Sequence, residues 1–569
     1  MTGKPGPERR TEDFMPPHHE PALTPLARSV LERRYLARDQ QGAIIETPAQ
    51  LFHRVARAVA EADRLFDPGR SIHELADRFE SAMASLSFLP NTPCLINAGR
   101  PMGQLAACFV LPVEDNLESI FQTLKDTALI HQTGGGTGFS FSRIRPRGDT
   151  LFPAQGVSSG PVSFIQLFDS ATCLIDRNQI RPGANMGVLR ADHPDIEEFV
   201  RVKTHSHELQ NFNLSVAVDE TFVECLKSGR DYPLLHPRTG SVMRKVSAAA
   251  LLEMMADCAW QSGDPGILFI DRINRGNPTP GLGAIEATNP CGEQPLLPYE
   301  SCTLGSINVT KFVENEKINH YRLNEQVATA VHFLDNVVEI NRYPLARIDE
   351  WSRTTRKVGL GVMGFADALI MMGIPYQSER ALHMAGEVMA AVQSFAVEAS
   401  EKLAEKRGNF PAFHHSGYPS AGVKNRRNAV LTTIAPTGSI SLIAGVSSGI
   451  EPVFAYRTRR RLIDTTVEDI HPLYKQYLDA GKPVPQDVFQ TAWDVSPDWH
   501  LKIQGAFQNY TDNAVSKTVN FPSHATVSDI RSLFETAMHA PVKGVTVYRD
   551  QSREDQTLSA FADDCSQCG

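Results

Sequence analysis

The chain of 569 residues is poor in several things that would have fixed its class at once. It has no cysteine framework. Nine cysteines are scattered along it, and an odd, sparse set suits a reducing compartment with reactive thiols, not a disulfide scaffold. It has no unbroken hydrophobic run of membrane length. The most apolar stretch, Val358 to Pro375, is interrupted by Asp367 and holds Gly359, Gly361, Gly364 and Gly373, which reads as a buried strand, turn and helix. It has no secretory signal: Met1 to Pro21 mixes proline, histidine and both charges without an apolar core, and residues 1–22 read as a disordered lead-in. Positive charge is not in excess either. A net charge of −9 argues against non-specific nucleic-acid binding, though not against a nucleotide as substrate. Nothing repeats internally. A cytoplasmic protein with no nucleic-acid or membrane partner is expected.

What is present begins with length. The chain exceeds the roughly 250–300 residues one core usually serves, so a large barrel or several domains are expected. The most informative stretch is Thr288-Asn289-Pro290-Cys291-Gly292-Glu293-Gln294-Pro295-Leu296. Its two prolines rule out a helix interior, and Gly292 lets another group approach the backbone. In an extended loop, side chains at i, i+2 and i+4 share one side, so Asn289, Cys291 and Glu293 project together. An amide, a thiol and a carboxylate then share one face. A second thiol, Cys302, follows after enough residues for the chain to turn back. These residues alone also fit a surface loop that happens to hold a cysteine.

Around that loop, 23–88 reads as a helical region, with Leu51, Val55, Val59 and Leu65 near one stripe, ended by Pro90. Ala106 to Leu111 reads as a short buried strand carrying Cys108, which a core cysteine would also satisfy. Ser119 to Ile130 reads as a helix running into Gly134-Gly135-Gly136-Thr137-Gly138. That cluster is neither a P-loop, since no Gly-Lys-Ser/Thr follows, nor a dinucleotide fingerprint, since no strand precedes it. The basic Arg143 to Arg147 could hold phosphate or form a solvated turn. Residues 178–187 read as a loop, Asn213 to Val218 as a strand, and Asp219 to Gly263 as mostly helical. Two amphipathic helices follow, Leu323 to Ile340 and Ala381 to Lys406. Strand 429–434, then Thr437-Gly438-Ser439, then a helix start form either a phosphate cradle or an ordinary N-cap. Asp464 to Asp512 reads as bent helix and Gly544 to Tyr548 as a last strand. The terminal Cys565-x-x-Cys568 is half a zinc site or a dithiol; with no second ligand pair near it in sequence, the dithiol is favoured.

Taken together these stretches resemble ribonucleotide reductase catalytic subunits, most closely the adenosylcobalamin-dependent class II enzymes. The resemblance covers Leu23 to Arg553. It rests on Asn-Pro-Cys-Gly-Glu-Gln-Pro-Leu (289–296), Thr-Gly-Gly-Gly-Thr-Gly-Phe-Ser-Phe-Ser-Arg (133–143) and Gly-Ala-Asn-Met-Gly-Val-Leu (183–189). Gly-Leu-Gly-Val-Met-Gly-Phe-Ala-Asp (359–367), Ala-Pro-Thr-Gly-Ser-Ile-Ser (435–441) and Ser-Lys-Thr-Val-Asn (516–520) complete the set. It implies a ten-stranded α/β barrel of two five-stranded parallel halves with a central finger loop, occupying 89–553 after the helical region, and a redox tail over 554–569. Cys291 is implied to be the thiyl-radical residue, deep inside and sheltered from water, Glu293 the base on the 3′ hydroxyl, and Asn289 the holder of the ribose hydroxyls. Cys108 and Cys302 are implied to be the reducing pair. Cys565 and Cys568 are implied to receive electrons from thioredoxin or glutaredoxin. Substrate contacts are implied for Thr92, Cys94, Ala107, Gly136, Pro436, Thr437, Gly438, Ser439 and Ile440; the family more often has Thr or Ser where Cys94 stands.

A second nucleotide site is implied at a homodimer interface. There Asp115, Gln132 and Arg145 match positions that bind a deoxynucleotide or ATP effector, and the loop 178–187 relays the choice of base. No extra N-terminal regulatory domain precedes the core, so on/off control by ATP and dATP is not expected. Class I subunits pass their radical through two adjacent tyrosines, where this chain has Tyr548-Arg549. Class III enzymes need a glycyl-radical motif, and none is present. Adenosylcobalamin is left as the radical source, although the Asp-x-His-x-x-Gly motif of many cobalamin mutases is absent; class II enzymes resemble one another without it. The resemblance favours ribonucleoside diphosphates as substrates. The alternatives are a class I-type catalytic subunit needing a separate metal-radical subunit, a non-catalytic nucleotide-binding regulator, and a zinc-stabilised protein.

Overall fold

The computed structural model describes residues 19–69, 71–151, 156–176, 183–204, 209–462, 465–552 and 558–560. Three helices come first: α1 (Pro25–Arg34), α2 (Pro48–Ala60) and α3 (His73–Ala84). The first two start where the sequence offers caps. Thr24 Oγ1 accepts from the Ala27 N–H (3.1 Å), Thr47 and Gln50 form a reciprocal capping box, and a proline takes the first position of each helix. Of the expected stripe, Leu51, Val55 and Val59 are buried, whereas Leu65 is exposed.

The barrel follows: β1 (Phe88–Pro90), α4 (Thr92–Asn97), β2 (Cys108–Pro112), α5 (Leu117–Gln132), β3 (Gly136–Ser140), α6 (Gly160–Asp176), β4 (Asn185–Arg190), β5 (Phe212–Val218) and β6 (Gly266–Phe269). Strands β2, β3, β4, β5 and β6 pair in that order and all run parallel. Their near-continuous apolar burial is what a parallel strand covered on both faces requires.

A short hairpin, β7 (Ala287–Thr288) against β8 (Pro295–Leu296), separates this half from the next. The second half contains β9 (Ser301–Asn308), α7 (His320–Ile340), β10 (Val358–Met363), α8 (Glu379–Arg407), α9 (Ile440–Ala444), β11 (Arg457–Leu462), β12 (Thr518–Phe521) and β13 (Gly544–Arg549). Strand β9 runs parallel to β10; parallel bridges Leu360–Thr432 and Ile434–Val515 carry the sheet across 431–434; and β12 runs parallel to β13. Antiparallel seams β9–β2 and β6–β13 join the two halves. Each half thus holds five parallel strands, counting 431–434, and the seams close the ring; β1 adds antiparallel to β9.

Two segments differ from the sequence reading. Asp219 to Gly263 is not mostly helical, because a hairpin (Asp231–Leu235 with Val242–Ser247) stands between helices Glu220–Ser228 and Ala248–Ser262. Left-handed Gly229 stops the first helix, and the alternation of buried Tyr232 and Leu234 then suits a strand. The segment read as bent helix from Asp464 opens with a strand, Thr465–Ile470, which has its antiparallel partner β11 immediately before it.

Behind the barrel a buried ion network ties the helical region to it. Asp335 of α7, fully buried, accepts from Arg356 Nη2 (2.6 Å) and Arg407 Nη1 (2.8 Å), and Arg407 Nη2 reaches Asp63 Oδ1 (2.6 Å). Burial alone would raise the Asp335 carboxyl; the guanidinium groups of Arg356, Arg427 and Arg407 overcome it and hold the carboxyl down to about 2.

Candidate active site

The hairpin β7–β8 is threaded through the middle of the barrel. Asn213 of β5 donates to the Pro290 carbonyl (2.7 Å) from one half, and Thr433 Oγ1 donates to the Glu293 carbonyl (2.8 Å) from the other. The passage exists because glycines line it. A Cβ on Gly138 would lie 1.7 Å from the Thr288 carbonyl oxygen, and one on Gly136 would press on the Pro290 ring at 3.0 Å. The glycine cluster read as permitting a close approach therefore has the hairpin itself as what approaches. At the tip the Gly292 N–H closes a turn onto the Asn289 carbonyl (3.1 Å), with Gly292 at φ +80°.

This turn places Asn289, Cys291 and Glu293 in the wall of one cavity of about 300 Å³, together with Cys108. Asn289 is held at both ends of its amide: Oδ1 accepts from the Gln294 N–H (2.9 Å), and Nδ2 donates to Cys108 Sγ (3.2 Å). Gln294 is fixed in turn by Asn513 Nδ2 (2.5 Å). Glu293 is 2 % exposed. Cys291, expected to be sheltered from water, is exposed instead. The reason is its position at the hairpin tip, where the side chain stands in the cavity wall and not beneath it.

Cys302, the second residue of β9, stands directly opposite Cys108 of β2 in the antiparallel seam. Directly opposed residues in such a pair have Cα atoms roughly 4.5–5.5 Å apart, inside the range that a disulfide spans. The two are not joined by a disulfide here. Burial pushes the Cys302 thiol well above its ordinary value; Glu293 and Glu300 add to the rise and Lys357 opposes it. Lys357 and Glu300 are themselves a buried ion pair (2.6 Å) beside this seam.

Another part of the cavity wall is the turn before α9. Thr437 takes a left-handed φ of +56° and its Oγ1 accepts from the Gly449 N–H (2.7 Å), holding Pro436, Gly438, Ser439 and Ile440 against the space. Thr92, Ala107 and Gly136 also line it. Cys94 does not. It packs in the apolar core behind α4, where burial drives its thiol upward.

Of the second set of residues, Arg145 Nε donates to both carboxylate oxygens of Asp115 (3.0 and 2.9 Å). Gln132 is not beside them. It ends the 16-residue helix α5, about 24 Å along from the Asp115 end. In the loop 178–187, residues 178–182 lie outside the described residues; Asn185 accepts from Thr137 Oγ1 (2.7 Å) and donates to Thr172 Oγ1 (3.0 Å). Cys565 and Cys568 also lie outside the described residues. The sequence reading passed over Arg34, Tyr35, Gln294 and Asn513. Arg34 and Tyr35 are helix-end residues more than 250 positions from the thiol loop, and only the fold brings them to the cavity.

The ribonucleotide reductase all-alpha domain model matches residues 22–103, and the ribonucleotide reductase barrel domain model matches 106–548. The chain belongs to the ribonucleotide reductase large-subunit family. Among its relatives, the vitamin B12-dependent ribonucleoside-diphosphate reductase of Mycobacterium tuberculosis (strain CDC 1551 / Oshkosh) is 46% identical over 564 residues, covering 95% of this chain and 81% of that protein. The protein of the same name from Thermoplasma acidophilum is 42% identical over 631 residues, covering 97% and 82%. The vitamin B12-dependent ribonucleotide reductase of Streptomyces coelicolor is 29% identical over 587 residues, covering 86% and 60%. Among the described residues no helix is long and apolar enough to cross a membrane.

Proposed function

We propose that this ribonucleotide reductase converts ribonucleoside diphosphates to 2′-deoxyribonucleotides by thiyl-radical chemistry started by adenosylcobalamin. The observation that carries the reading is the Cys108–Cys302 pair across the β2–β9 seam, with Cys291 and Glu293 on the same cavity. A sulfur radical at Cys291 removes the 3′ hydrogen. Glu293 takes the 3′ hydroxyl proton, which eases departure of the 2′ hydroxyl. That group leaves as water with a proton from one thiol of the pair. Cys108 and Cys302 give up two electrons and form a disulfide, and Cys291 returns hydrogen to C3′. Asn289, braced by Gln294 and Cys108, holds the ribose hydroxyls. Thr92, Ala107, Gly136 and the Pro436 to Ile440 turn take the rest of the nucleotide.

The residues present also fit the cofactor. A second cavity of about 790 Å³ adjoins the first and shares Gly438 with it. Its walls combine Val453 and Phe454 with Thr458, Thr518 and Asn520. Apolar surface suits a corrin face, and hydroxyls and amides suit its rim of amide side chains. When bound, adenosylcobalamin supplies a carbon-centred radical by homolysis of its cobalt–carbon bond.

Cys565 and Cys568 re-reduce the Cys108–Cys302 disulfide by thiol exchange and are themselves reduced by thioredoxin or glutaredoxin. The last described strand, Leu558–Ala560, pairs with β11, whose Thr458 lines the larger cavity. Cys565 is five residues beyond it, a reach of at most about 18 Å.

The protein works as a homodimer in a reducing, cytoplasmic setting. Leu117, Phe121 and Leu129 leave an exposed apolar face on α5, and Leu174 extends it on α6. An antiparallel two-fold pairing along α5 brings the Asp115–Arg145 end of one protomer to the Gln132 end of its partner, composing an effector site for a deoxynucleotide or ATP. The direct test of the proposed reaction is turnover by purified protein given a ribonucleoside diphosphate, adenosylcobalamin and dithiothreitol alone. Deoxynucleotide is expected; a strict need for a metal-radical subunit would overturn the cofactor assignment.

A further inference from the structure

Helix α1 and helix α9 pack side by side. A Cβ on Gly445, just past the end of α9, would meet Thr24, just before the start of α1, at 3.4 Å. The two helices are therefore antiparallel, and the end of α1 falls beside the Thr437-Gly438-Ser439 turn that precedes α9. Tyr35 pins it there. Its hydroxyl is 2.9 Å from Thr92 Oγ1, and its carbonyl accepts from Arg100 Nη2 (3.2 Å). The residue thus fixed at the rim is Arg34, half-buried and lining the same cavity as Cys291.

Among the residues lining that cavity Arg34 is the sole permanent cation and Glu293 the sole carboxylate. Neighbouring Arg54 and Arg100 are both engaged by Glu46 (2.6 and 2.8 Å), whereas none of the described residues forms an ion pair with Arg34. The cavity is therefore polarised, negative near the hairpin tip and positive near the α9 turn. We propose that Arg34 is the phosphate-reading residue of the substrate site, contributed by the helical region to a barrel cavity. Its guanidinium receives the terminal phosphate of a ribonucleoside diphosphate while the turn's backbone holds the inner one, and the ribose is thereby directed toward Glu293 and Cys291. A guanidinium suits this position because its planar fork matches two phosphate oxygens at once. This assignment rests on the ribonucleotide reading above and adds to it a residue that discriminates by phosphate charge.

The test uses the full chain and the variants R34Q and R34K, with cytidine diphosphate and cytidine as ligands. Dissociation constants are measured by calorimetry, and kcat and KM with adenosylcobalamin and dithiothreitol. R34Q is expected to raise both Kd and KM for cytidine diphosphate roughly 10- to 100-fold, as loss of charged hydrogen bonds implies. Its kcat at saturation should stay within about twofold of wild type and its affinity for cytidine should be unchanged, since chemistry and ribose contacts lie at the other end. R34K should fall between the two. If R34Q binds the diphosphate as wild type does, Arg34 only complements the α1 dipole and the proposal is overturned while the reductase reading stands. Equal weakening for cytidine and its diphosphate would make the role structural and also overturn it. If wild-type protein neither binds nor reduces a ribonucleotide, the underlying reading fails and this one with it.

Discussion

At the scale of single residues, Cys291 differs in exposure from the buried pair Cys108 and Cys302, and chemistry should separate them. Cys291 stands exposed in the cavity wall, while Cys302 is buried with its thiol held protonated well past neutral pH. Thiolate is the species that alkylates, so brief iodoacetamide treatment at pH 8 should label Cys291 and spare Cys302. Mass mapping that finds Cys302 modified first would contradict the burial described. The raised Cys302 thiol also carries a sign for stability. The unfolded chain loses this proton near pH 9 while the folded chain keeps it, so folding loses ground as pH rises through that region. A C302S variant should show a shallower alkaline fall in denaturation midpoint. Replacing Cys291 by serine should abolish turnover, a loss of at least about a thousandfold for removal of a covalent participant, and leave nucleotide affinity within about twofold.

At the scale of elements, the hairpin depends on what its neighbours lack. Gly138→Ala places a methyl inside the space of the Thr288 carbonyl, and backbone cannot rotate away as a side chain can. The expected cost is about 1–3 kcal/mol of overpacking strain, with displacement of Cys291 and loss of most activity. A G138A protein with wild-type kcat would show that the hairpin is not held as described. This element also marks how far sequence reasoning reached. Pro290, Gly292 and Pro295 announced a loop with no helix, but the loop is a hairpin with a tight turn at its tip, and it is the Asn289–Gly292 turn, not extended alternation, that brings Asn289, Cys291 and Glu293 to one cavity. The glycines of 134–138 announced a close approach without naming its object, because that object lies some 150 residues on. The exposure of Cys291 was not legible, since depth depends on the shape of the cavity around the tip. Cys94 read as a pocket residue by its match to a motif, but one turn of α4 directs it into the core. Arg34 carried no signal of its own, lying inside a stretch read only as helical. The hairpin inside 219–263 was hidden because its strands are short and half polar, so their alternation is weak beside the strong helices flanking it.

At the scale of the whole molecule, the helical region and the barrel are joined by charge as well as by apolar packing. Asp335 compensates three guanidinium groups from Arg356, Arg407 and Arg427, and Arg407 carries the contact on to Asp63. Its carboxyl titrates at about 2 in the fold against an ordinary value of 3.8. A depressed carboxyl stabilises above the unfolded value, and that stabilisation, about 2 kcal/mol, is lost as pH falls from about 4 toward 2. Acid unfolding of wild type should therefore steepen in that window, and D335N should lack the step. D335N leaves buried guanidinium charge uncompensated and should lose about 3–5 kcal/mol at neutral pH in denaturant titration. An unchanged midpoint would mean that the network is not the tie between the two regions.

The most direct test of the account is a single turnover by protein whose terminal cysteines are both replaced, C565S/C568S. The protein is reduced, freed of dithiol, then given a ribonucleoside diphosphate and adenosylcobalamin. One deoxynucleotide per chain is expected, accompanied by a Cys108–Cys302 disulfide in the peptide map. Deoxynucleotide formed while Cys108 and Cys302 both remain free thiols would contradict it.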